Sequence, residues 1–84
     1  MNMIQFLHAE DNWLITYVLE NGETRQFDVA PYLNDEAFVE LASINEFKKI
    51  HNGRYFVEWD SGADLSLDTL NAHSVLIKSN SLVA

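Results

Sequence analysis

Eighty-four residues, 48% hydrophobic and 12% aromatic, suffice for one modest core and are too apolar for a disordered chain. Thirteen acids against five bases give a formal charge of −8, which repels nucleic-acid phosphates and anionic lipid at long range, so neither direct nucleic-acid binding nor a membrane surface is expected. The absence of cysteine excludes disulfides, thiolate metal sites and a cysteine nucleophile. The opening MNMIQFLHAEDNW shows no basic leader, and no window holds the roughly 18 consecutive apolar residues of a spanning helix. With no repeat, linker or low-complexity run, the expectation is a single cytoplasmic domain over 1–84. The five bases (Arg25, Lys48, Lys49, Arg54, Lys78) form no run. The acidity therefore reads either as solubilising charge or, more sharply, as a surface meant for a basic protein.

Ile4 to Leu7 is a short candidate strand at a sheet edge. Trp13 to Leu19 (WLITYVL), followed by Asn21-Gly22 and TRQFDV, predicts a hairpin. A two-residue loop would set Ile15 against Asp28 and mix polar with apolar on both faces. A three-residue loop, Glu20-Asn21-Gly22 with Gly22 left-handed, instead sets Trp13 against Val29, Ile15 against Phe27 and Tyr17 against Arg25; one clean apolar face results, and this register is expected.

Pro31 ends the second arm. Asn34 or Asp35 then caps a short helix, with Glu36 at its positive end and Phe38, Leu41 and Ala42 along one side. Ser43-Ile44-Asn45-Glu46 reads as a capping box opening another single turn. A second hairpin, FKKIHNGRYFVEW, turns at Asn52-Gly53 with Tyr55, Val57 and Trp59 on one face; Lys48 and Lys49 interrupt both faces of the preceding arm and leave its register open. Trp13, Tyr17, Phe27, Phe38, Tyr55 and Trp59 are the expected aromatic core, and a surface position for Trp59 or Tyr32 would mark an interface anchor instead.

WDSGADLSLDTL spaces Asp60, Asp64 and Asp68 four apart. A calcium loop counted from Asp60 requires glycine in sixth place and glutamate in twelfth, where this chain has Leu65 and Asn71. The segment reads instead as a turn at Gly62 in which Asp64 accepts backbone donors, followed by a helix over Thr69 to His73 capped by Asp68, with Leu65, Leu67 and Leu70 anchoring it. Residues 76–84 are expected to fray. His8, His51 and His73 are scattered, and His8-Ala9-Glu10-Asp11 offers only adventitious metal ligation. Ser61 lies in no nucleophile elbow. No catalytic, metal or cofactor site is expected, and the chain is not expected to be an enzyme.

The sequence of signals, a strand ending in NGE (Asn21, Gly22, Glu23), FDVAPYL, an FVEL helix, an EFKKI turn and finally EWDSGADLSLDTL, resembles the bacterial domain-of-unknown-function family 2442 over about residues 4 to 72. The resemblance implies a small α+β domain, with a mostly antiparallel sheet of two hairpins plus an edge strand and one or two short helices. It implies prolines near Asp60 and Leu67, which this chain lacks. It further implies relatives joined to helix-turn-helix modules or encoded beside small basic proteins, as toxins and antitoxins are. It supplies no catalytic residues, and no DNA-binding module is expected within these 84 residues, so a repressor role by itself is not expected.

The functional expectation is a non-catalytic acidic interaction domain, antitoxin-like or regulatory toward a basic protein partner, using Glu36, Glu58, Trp59, Asp60 and Asp64. The alternative is a small-ligand-binding domain or minor hydrolase, with a pocket between helix and sheet rimmed by the aspartates of 60–68. The chain is expected to be a monomer, or a homodimer formed through an uncovered edge strand.

Overall fold

The computed structural model describes residues 2–78. It contains a four-stranded antiparallel sheet in the order β1 (Ile4–Ala9), β2 (Leu14–Leu19), β3 (Thr24–Asp28), β7 (Val75–Lys78), and a three-stranded one in the order β4 (Ile50–Asn52), β5 (Phe56–Trp59), β6 (Asp64–Ser66). Two short helices, α1 (Ile44–Phe47) and α2 (Leu67–His73), complete a small α+β domain. No helix of the described residues is long and apolar enough to cross a membrane.

The first hairpin takes the expected register: Ile15 pairs with Phe27 and Tyr17 with Arg25, and the Val29 amide donates to Trp13 O at 2.9 Å. Leu19 and Glu23 close the three-residue loop, with Gly22 at φ +91°. Ile15, Tyr17 and Leu19 are thereby all buried on one face. Strand β1 does lie at the sheet edge. An irregularity between Ile4 and Phe6 shifts its alternation, so Ile4, Leu7 and Ala9 stand opposite Leu19, Tyr17 and Ile15 while Phe6 turns outward.

Residues 30–42 depart from the single capped helix expected there. Pro31 sits at the start of a 3-10 turn, Ala30–Tyr32, and a second one covers Val39–Ala42. Asp35 caps no helix; its carboxylate accepts from the Ala37 amide at 3.3 Å in a local turn. One turn does follow Ser43, but the Ser43 side chain makes no capping bond, and Glu46 reaches forward to Lys49 at 2.9 Å, so the reciprocal capping box is absent. The Glu46 carboxylate holds the Lys49 ammonium above its ordinary pKa.

In the second hairpin His51 pairs with Glu58 and Asn52 with Val57, and the Gly53 amide donates to Phe56 O at 2.9 Å. The exposed Phe56 ring lies over Gly53, where a Cβ would come within 2.3 Å of it and the ring would have to swing aside. Tyr55 belongs to this turn and not to the core face; it is 47% exposed, which corrects its assignment to the core.

Trp59 is the largest fully buried side chain, and its indole donates to Phe47 O at 2.8 Å. Phe27, Tyr32, Phe38, Trp59 and Phe47 contact in sequence at centroid separations of 5.5, 5.7, 6.3 and 6.1 Å. This run of rings joins the two sheets through the 30–47 segment, and Phe47, unexpected from the sequence, is as buried as any residue in it. Helix α2 begins two residues before the expected start. Ser66, not Asp68, caps it by accepting from the Thr69 amide at 3.1 Å, because Leu67 must already be turned into the core. Asp68 lies in the first turn. At the other end of α2 the Tyr17 hydroxyl donates to Asn71 Oδ1 at 2.8 Å and lies 3.1 Å from Ser74 Oγ, which also accepts from Arg25. Residues 76–78 of the expected frayed tail are instead strand, paired with β3; 79–84 lie outside the described residues.

Candidate functional site

The five acidic-surface residues read from the sequence separate into three situations. Trp59 is 1% exposed and is no part of the surface, a correction that follows from its position on the inward face of β5 opposite Ile50. Glu58 stands on the outer face of the same sheet, directly between His51 on β4 and Asp64 on β6. Asp60 folds back from the following turn, with Oδ1 2.5 Å from His51 Nε2.

Glu36 and Asp64 meet across a groove of about 450 Å³, with Glu40 as its third carboxylate; of the aspartates of 60–68 expected at a pocket rim, Asp64 alone lines it. The turn of residues 60–62 forms one wall: Trp59 and Ala63 close it by a 2.9 Å hydrogen bond, and Ser61, not Asp64 as expected, accepts from a backbone amide within it. The irregular 36–40 segment forms the other wall. The floor is Phe38 and Ala63, 8% and 6% exposed, with Phe38 resting edge-on against Trp59. No base lines the groove. Among the described residues Glu36, Glu40, Glu58 and Asp64 form no ion pair. Glu58 and Asp64 also face each other as like charges on paired strands, an arrangement that weakens a sheet.

A second groove, about 500 Å³, lies between β1 and β4 over Leu7, Ala9 and Ile50. Its charges are already matched. Lys48 bonds Asp11 and holds that carboxyl below the usual range, while Glu10 meets His8 at 3.8 Å and accepts from the Thr16 hydroxyl at 3.0 Å. Among the described residues no three His, Asp or Glu side chains are grouped to hold a metal; Asp60, Asp64 and Asp68 stand on separate elements.

The model of a family described as a protein of unknown function, DUF2442, matches residues 6–75. The chain belongs to this family. No curated protein and no solved structure matches it. The DUF2442 match contains both grooves and stops where β7 begins. Near the family's prolines, as the resemblance implies them, this DUF2442 chain uses the amides of Asp60 and Leu67 as donors, a bond proline could not make: Asp60 N donates to Lys49 O at 3.1 Å and Leu67 N to Tyr55 O at 2.8 Å.

Proposed function

We propose that this domain is a non-catalytic interaction module whose groove between residues 36–40 and 61–64 receives a lysine or arginine side chain from a basic protein, in a regulatory or antitoxin-like pairing. One observation carries the reading: three carboxylates ring an apolar floor with no cation among the lining residues. Lysine and arginine combine an aliphatic stem, which would cover Phe38 and Ala63, with a charged head, which would sit among Glu36, Glu40 and Asp64. Glu58 extends the same field across the sheet, and the net charge of −8 would accelerate encounter with a basic surface.

Co-purification from cells at low and high salt tests it. The expected result is a basic protein retained at about 50 mM salt and released as ionic strength shortens the screening length. Glu36→Gln, Glu40→Gln and Asp64→Asn combined should weaken that complex at least about tenfold, which corresponds to about 1.4 kcal/mol. If no basic partner is retained, or the triple variant binds it unchanged, the reading fails. The same groove would suit a small organic cation; a thermal-shift screen of amines against the triple variant separates that reading, since a specific ligand raises the melting temperature of the parent alone.

A further inference from the structure

Sheet edges attract strands from other molecules unless something protects them, so each exposed edge of this domain bears on how it associates. Strand β1 is covered at one end, where the Ile4 amide donates to Arg54 O at 2.8 Å and Asn52 and Arg54 donate to Ile4 O; beyond its other end Lys48 holds Asp11. Strand β6 is three residues long and opens on Asp64, whose charge repels a second copy. Strand β7 has neither a covering contact nor a carboxylate; its only irregularities are the extra residue Ile77 in its pairing with β3 and the base Lys78 at its end. It pairs with β3 on one side and with nothing among the described residues on the other, and Val75, Leu76 and Ile77 are 64%, 46% and 53% exposed.

We propose that two copies of the chain pair antiparallel through β7 about a two-fold axis, merging their four-stranded sheets into one. Charge selects a second copy as the occupant. All thirteen acids lie in residues 1–68, whereas the chain from Thr69 onward carries one base, Lys78, and no acid. Two molecules of charge −8 can therefore approach with least repulsion at β7, and the neighbouring carboxylate, Glu23, is already paired with Arg25 at 3.2 Å and does not invite a basic partner. Apolar matching selects the register. With Leu76 on the axis it faces its own copy, flanked by the apolar Val75 and Ile77, Ile77 being the extra residue where β7 departs from regular pairing with β3. The two-fold closes, so the contact ends at a dimer instead of propagating. A four-residue strand is a small interface, and the dissociation constant should be on the order of 0.1 mM.

Sedimentation of the full chain from 10 µM to 1 mM should show a monomer–dimer equilibrium that tightens with added salt, the opposite of a complex with a basic protein. Ile77→Lys, at a site already exposed, should leave the circular dichroism unchanged and remove the dimer. Because the chain has no other thiol, Leu76→Cys should oxidise to a covalent dimer across the axis, while Val39→Cys, exposed to a similar degree elsewhere, should not. A monomer at 1 mM overturns the proposal, as does a dimer indifferent to Ile77→Lys or equal cross-linking of the two cysteine variants. None of these outcomes bears on the acidic groove.

Discussion

The two grooves of this domain are close in volume, about 500 and 450 Å³, and opposite in how their charges are settled. Between β1 and β4, Lys48 answers Asp11, and His8 and Thr16 answer Glu10. Between the 36–40 segment and the 61–64 turn, three carboxylates face open space over a phenyl ring. A pair satisfied within the chain contributes to holding two elements together. Charges left unmatched contribute nothing to the fold and weaken it where they face one another, so they are the charges available to another molecule.

The largest test of that contrast lies beneath the acidic groove. Trp59→Ala removes the ring that supports Phe38 and stacks on Phe47, and should cost about 3–5 kcal/mol in urea unfolding, with loss of partner binding as the floor collapses. Next comes the link that fastens α2 to the first sheet. Tyr17→Phe deletes the hydroxyl bonded to Asn71 and should cost about 1–2 kcal/mol. Burial raises the Tyr17 pKa above 10.0, so its contribution is full below that pH and declines as pH rises through the folded-state value; in alkaline melts the parent should lose stability that Tyr17→Phe does not.

Smaller effects should differ in sign between the grooves. Glu58→Gln relieves the repulsion with Asp64 and should stabilise the domain by about 0.2–1 kcal/mol while weakening any basic partner. Lys48→Met should do the reverse, lowering the melting temperature slightly and leaving partner binding intact. Asp11 has a depressed pKa in the folded state, so its pairing with Lys48 stabilises above the unfolded carboxyl value near 3.8 and is lost as pH falls through the folded one; the gap between parent and Lys48→Met should narrow as melts are taken to lower pH below 3.8. If the variants at Glu58 and Lys48 shift stability in the same direction, the distinction between settled and unsettled charge is wrong.

Local signals made the first hairpin legible. Ile15, Tyr17 and Phe27 segregate to one face under only one loop length, and Gly22 accepts the conformation that loop requires. The second hairpin gave no such choice, because Lys48 and Lys49 break the alternation and Tyr55 could continue the face of Val57 and Trp59 or fall in the turn. Ser66 and Asp68 are equally good caps by residue type; burial of Leu67 decides for Ser66. Strand β7 was hidden for a related reason. Val75, Leu76 and Ile77 do not alternate with polar residues, so nothing in the run announces a strand, and only the free edge of β3 turns it into one, with its side chains left exposed.

Residue order alone determined what depends on neighbours within a few positions: the first hairpin and its register, the lack of thiol chemistry, the surplus of negative charge and its absence after Asp68. Tertiary structure decided which of those charges are cancelled. Lys48 reaches Asp11 across 37 residues, and Glu36 is brought to Asp64 by the packing of Phe38 on Trp59, contacts that no local pattern encodes. Coulomb interactions depend on distance in space, and the chain sets that distance only after its core has closed.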